Sequence, residues 1–176
     1  VSMRGVAPAA LKDYNSLVDS FKENSIRFGV DTTVSVIDCG IRKTTYGPTS
    51  NSFAEQFVNT RNLSRMYDYP VSGGNTPLYD SVSDLINHFK SLHSSVQKDP
   101  EVSFLVLVVT DGEDNASSMT ARKLADEIRA LESTDKWTFV FRVPNGYKKS
   151  LIADGFNAGN ILEFDAGNER EYERTT

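Results

Sequence analysis

Cysteine is almost missing from this sequence. Cys39 stands alone, so no intrachain disulfide can form, and a reducing compartment is compatible with that count but not required by it. No histidine lies near Cys39 in sequence, so it reads as a small hydrophobe at a strand end rather than a nucleophile. The two histidines, His88 and His93, fall away from or at the edge of an apolar helical stripe and read as solvated surface rather than metal ligands. No apolar run approaches the roughly 18 residues that would suggest a membrane span, and no signal-peptide pattern is visible. Repeats and low-complexity tracts are missing too. Basic residues do not cluster: Arg42-Lys43 and Lys148-Lys149 are isolated pairs, and the net charge is −5. That balance argues against nucleic acid or an anionic membrane as the main partner. Also missing are a glycine-rich phosphate loop ending in lysine, an Asp-x-Asp pair at a strand end, and a G-x-G-x-x-G after a strand. Phosphoryl transfer and dinucleotide binding are disfavoured accordingly.

What is present is an ordinary globular composition, 39% hydrophobic and 24% charged over 176 residues, enough for one domain, residues 1–176, with a full core. The chain is organised around Phe104-Leu105-Val106-Leu107-Val108-Val109, which runs directly into Thr110-Asp111-Gly112-Glu113. Six apolar residues without polar alternation predict a strand buried on both faces, hence a parallel sheet covered by helices. Ligands of such sheets bind at the carboxyl ends of the strands, and Asp111 is the first charge beyond this one. A plain glycine-containing turn with a helix-capping Asp or Asn is the alternative there.

Taken in order, Pro8 and the spacing of Leu11, Tyr14, Val18 and Phe21 predict a helix over about 8–23, ended by Asn24-Ser25. Residues 33–38 read as a strand and 41–46 as its hairpin partner, ended by Gly47-Pro48. In 49–72, Phe53 and Phe57 suggest one or two helical turns, and Met66, Tyr67 and Tyr69 an aromatic cover. After the sharp loop at 73–77, Val82, Leu85, Ile86, Phe89 and Leu92 predict a helix over about 77–95. Strands follow at 102–110, 137–143 and 161–164, with helices at 118–132 and 148–156 and a polar tail at 165–176 that reads as the start of a terminal helix. Strands alternating with helices from 76 onward give βαβ units. The predicted fold class is therefore α/β, a Rossmann-like doubly wound, mostly parallel sheet with helices on both faces.

Three stretches resemble one family together. Thr110-Asp111-Gly112-Glu113 is similar to the third metal loop of von Willebrand factor type A domains. Gly73-Gly74-Asn75-Thr76-Pro77-Leu78-Tyr79-Asp80 is similar to the second, in the form common among intracellular members. Ser2-Met3-Arg4-Gly5 is similar to the tail of the first, with Ser2 as its last serine. The resemblance covers nearly the whole chain. It implies a metal-ion-dependent adhesion site in which Ser2 and Thr76 give hydroxyl oxygens and Asp111 binds directly or through water. The ion implied is Mg²⁺ or another hard divalent cation such as Ca²⁺ or Mn²⁺. A partner protein would complete the coordination with an Asp or Glu carboxylate.

The chain departs from the family pattern at its start. The leading aspartate and serine of the first loop, and the strand before them, are not in the sequence. That strand lies at the centre of the family's sheet, so it is expected from residues outside the sequence or from another chain, since its two neighbours would otherwise expose unpaired backbone. Thr76 could instead cap the helix behind it, and Ser2 could be a disordered end. Glu113 and Asp114 read as charges that tune the ion, touch a partner or simply face water. Asp80 reads as a complement to the helix dipole, and Gly73 and Gly74 as backbone requirements. Asp38, at a strand end, has no account from the sequence. The expected function is a non-enzymatic, metal-dependent protein-interaction domain in the cytoplasm, with 49–72 as the place for partner specificity. A scaffold that kept the fold without the metal is the alternative, and a Mg²⁺-dependent phosphoryl-transfer or hydrolytic enzyme a weaker one.

Overall fold

The computed structural model describes residues 7–39, 42–44, 47–49, 52–67, 75–110 and 113–164. Ser2, Tyr69, Gly73, Gly74, Asp111 and the 165–176 tail lie outside those residues. The chain forms two compact units, Val1–Asn75 and Thr76–Thr176.

In the first unit, α1 spans Ala7–Phe28, one and a half turns beyond the expected end. Asn24-Ser25 do not stop it. Ser25 is buried, and its hydroxyl donates to the Val30 carbonyl at 2.6 Å, which satisfies a polar group that would otherwise oppose helix. The helix ends where Gly29 adopts φ +64°, the left-handed geometry glycine accepts after a helix.

The strands differ more. β1 (Thr33–Asp38) pairs antiparallel with β4 (Ser52–Asn59), Thr33 opposite Asn59 and Asp38 opposite Ser52. The expected partner of β1 is instead in a separate ribbon, β2 (Arg42–Thr44) against β3 (Gly47–Thr49). Gly47-Pro48 therefore lie within a strand, and the segment holding Phe53 and Phe57 is β4, not helix. Register shifts at Val34–Val36 and Val36–Ile37 mark irregular pairing, with Phe57 at φ +49° donating its N–H to Ser35 Oγ at 2.9 Å. A spacing of four, as between Phe53 and Phe57, fits one face of a strand as well as one face of a helix, so it could not tell the two apart. Cys39, just past β1, is half-buried.

The second unit is mixed α/β around a three-stranded parallel sheet, order β5-β6-β7, formed by Phe104–Val109, Trp137–Pro144 and Ile161–Phe164. α4 (Ala121–Glu132) and α5 (Lys148–Ala153) make the two crossovers. α2 (Leu78–Lys90) precedes them and is shorter than expected. It stops at Ser91, whose hydroxyl takes the His88 carbonyl at 2.6 Å, and exposed His93 then caps the short helix α3 (Ser94–Lys98) through Nδ1 and Ser95 N–H at 3.2 Å.

β5 is buried on one face only. Phe104, Val106 and Val108 are buried with Phe139, Phe141 and Val143, whereas Leu105 is 49% exposed and Leu107 and Val109 are half-buried. α2 sets Phe89 against Phe104 and Trp137, at centroid distances of 5.6 and 6.2 Å. Phe104 and Trp137 stack at 4.5 Å. α4 lies beside α2, joined by Lys90 and Glu127 at 2.8 Å, and contributes buried Leu124, Ala125 and Ile128. No helix of the described residues is long and apolar enough to cross a membrane.

Candidate functional site: two loops at the carboxyl edge of the sheet

The parallel strands β5, β6 and β7 end on one edge, and two segments converge there: Thr76–Asp80, leading into α2, and 113–120, following β5. Thr110, buried past the end of β5, donates its N–H to the Arg142 carbonyl at 3.1 Å, so the β5 terminus stays fixed to β6.

Thr76 is held by Asn115 on both sides of its backbone. Its N–H donates to Asn115 Oδ1 at 2.6 Å, and its carbonyl accepts the Asn115 N–H at 3.2 Å. Thr76 is not the cap of α2: Pro77 occupies the cap position and supplies no side-chain bond. The unpaired donors of the first turn are met from the other loop. Asp114 Oδ2 accepts the Tyr79 N–H at 2.9 Å, and Ser117 Oγ accepts the Asp80 N–H at 3.0 Å. Asp114 also accepts from Ser117, from its N–H on Oδ1 at 3.1 Å and from its hydroxyl.

Asp80 returns the arrangement. Its carboxylate accepts the N–H groups of Ser118 at 2.8 Å and Met119 at 2.9 Å. Asp80 thus organises the opposite loop, a role that the helix-dipole reading did not include. A carboxylate in the first turn of α2 and one in the post-β5 loop each bond the other segment's backbone. Thr120 then caps α4, its hydroxyl accepting the Lys123 N–H at 3.3 Å.

Neighbouring groups close the edge. Tyr79 stacks on Phe156 at 6.2 Å. Burial first, then the negative charges of Asp154 and Asp114 and a hydrogen bond to Asp154, push the Tyr79 phenol up to about 12. Tyr147 brings its hydroxyl within 3.4 Å of Glu113 Oε1, and Glu163 Oε1 accepts the Gly146 N–H at 2.8 Å.

Of the sequence-predicted ligands, Thr76 is placed at this edge, while Ser2 and Asp111 lie outside the described residues. Among the described residues no group of three or more His, Cys, Asp or Glu side chains is arranged to hold a metal. The oxygen donors the resemblance names are hydroxyl and carboxylate, which suit a hard divalent ion. Asp114 and Asp80 have their oxygens turned to backbone N–H groups, so they serve the loops. Sequence reading missed Asn115 and Ser117. Asp114-x-x-Ser117 carries a local capping signal, but nothing local identifies the helix 35 residues away that it also caps. No family model, curated protein or solved structure matches the chain.

Proposed function

We propose that this chain is a metal-dependent protein-interaction domain of the von Willebrand factor A type. In this reading Ser2, Thr76 and Asp111 hold a Mg²⁺, or another hard divalent ion, and an acidic side chain of a partner protein fills an open position. The observation that carries it is the double backbone bond of Thr76 to Asn115, 2.6 and 3.2 Å, which ties the second motif to the loop continuing from the third. When bound, the ion would supply a positive centre for a carboxylate. The chain's own part is to set a neutral hydroxyl and a carboxylate side by side.

The domain is not an enzyme in this reading. The first-turn N–H groups of α2, the natural place for a substrate phosphate, already face Asp114 and Ser117. We also infer a doubly wound sheet in the cytoplasm, with a further strand beside β5 from outside the chain or from another one. Its support is β5 itself: six apolar residues, paired with β6 alone among the described strands.

The alternative, a scaffold without metal, is favoured by one fact. The two loops are held by their own hydrogen bonds and need no ion to close. Mn²⁺ binding by the whole chain, followed by electron paramagnetic resonance, separates the two. Saturable binding that is lost in Asp111→Ala and in Thr76→Ala supports the metal-dependent reading. Equal signals from all three proteins would leave the scaffold.

A further inference from the structure

We propose that Asp114 and Asn115 are the positioning residues of this edge: they hold the Thr76 loop in the geometry that a divalent cation requires. The inference rests on the metal-dependent reading above and deepens it, because it assigns the preorganisation of the site to residues that touch neither the ion nor the partner.

The chemistry follows from the bonding pattern. Thr76 is three residues before Tyr79, and its loop could pivot about Pro77, where α2 has no side-chain cap of its own. Asn115 fixes the loop by accepting the Thr76 N–H and donating its own N–H to the Thr76 carbonyl. Asp114 fixes the other side of the pivot by accepting the Tyr79 N–H. Both come from one dipeptide, so the two restraints share a single rigid origin. Ser117 stiffens it, giving its N–H and its hydroxyl to the Asp114 carboxylate and its oxygen to the Asp80 N–H. A hydroxyl is a weak ligand for a hard cation, so its contribution depends on being held in place beforehand. Residues one step behind metal ligands commonly change affinity by 10–100-fold for this reason.

The test is Mn²⁺ binding by the full chain and by Asp114→Ala, Asp114→Asn and Asn115→Ala, well below each protein's melting temperature. Glu101→Ala serves as a control for loss of one negative charge at an exposed position. The expected result is a loss of about tenfold or more in Mn²⁺ affinity for Asp114→Ala and Asn115→Ala. Asp114→Asn, which keeps a carbonyl acceptor for the Tyr79 N–H, should recover most of that loss, and Glu101→Ala should match the unaltered chain. A purely structural role would lower the melting temperature of both alanine variants and leave the affinity of the folded protein unchanged, which would overturn the proposal. Should Asp114→Ala fail to fold, Asn115→Ala decides. If the unaltered chain binds no Mn²⁺, the metal-dependent reading falls and this inference with it. If it binds and the alanine variants bind equally, only the inference falls.

Discussion

Asn15 and Met66 grip each other through both faces of one amide. Asn15 Nδ2 donates to the Met66 carbonyl at 2.9 Å, and Asn15 Oδ1 accepts the Met66 N–H at 2.8 Å. The two residues are 51 positions apart, and the pair pins the segment after β4 to α1 in the first unit. Only a side chain with a donor and an acceptor side by side can do this. Asn15→Asp keeps the acceptor and sets a carboxylate against the Met66 carbonyl, whereas Asn15→Ala leaves both backbone groups without this partner. Each should lower stability by about 1–3 kcal/mol. Denaturant melts of the two variants check this, and Asn15→Asp should recover part of its loss at a pH low enough to protonate it.

Much of the second unit was legible because its signals are local. The apolar run of β5 and the 3–4 spacing along α2 and α4 state their own period, and β7 runs over 161–164 as expected. The first unit was less so. α1 runs past Ser25 because a bond to the Val30 carbonyl, five residues on, satisfies the hydroxyl, and β4 imitates a helix because the four-residue spacing of Phe53 and Phe57 fits either period. At the edge of the sheet, Thr76 was found from its motif. Its holder, Asn115, was not, since a side chain that bonds backbone 39 residues away leaves no trace in spacing. Burial on both faces of β5 was also expected, and Leu105 departs from it.

Tyr79 should ionise later than an ordinary tyrosine. Its phenol is pushed up to about 12, mainly by burial and next by Asp154 and Asp114. The folded state therefore holds this proton more tightly than the unfolded chain does. The resulting stability is complete below pH 10.0, the ordinary value, and is lost as pH rises from there towards about 12. A spectrophotometric phenolate titration should show one late step that is gone in Tyr79→Phe. Tyr79→Phe should also flatten the loss of stability in that alkaline window.

His88 has the opposite linkage. Its partly buried ring, 6.0 Å from that of Phe89, is held below its usual 6.5 by desolvation. The unfolded chain then binds the proton more readily than the native one. This contribution to stability is present above pH 6.5 and fades as pH falls through the lowered value. The informative quantity is the difference between the two proteins, which isolates this ring. Melts across about pH 5–8 should show a shallower acid loss for His88→Gln than for the unaltered chain. Parallel curves would mean that this ring contributes nothing to the acid sensitivity.

Asp80 separates two physical accounts of one carboxylate. If it only complements the dipole of α2, Asp80→Ala should cost about 0.3–1 kcal/mol, and salt should screen most of that. Its observed bonds, to Ser118 N–H at 2.8 Å and Met119 N–H at 2.9 Å, predict a larger cost. Hydrogen bonds to a charged acceptor contribute about 1.5–3 kcal/mol, and both N–H groups lose their partner together. The cost should also persist in high salt, because short, directional contacts are screened far less than a charge facing a distant dipole. Pairing Asp80→Ala with Ser117→Ala adds a further check. The Asp80 carboxylate accepts the N–H of Ser118, next to Ser117, and Ser117 Oγ accepts the Asp80 backbone N–H at 3.0 Å, so both side chains brace the same two segments and their costs should not add. Strict additivity, or a loss that vanishes in molar salt, would return Asp80 to the simpler dipole role and leave the post-β5 loop held by Asp114 and Asn115 alone.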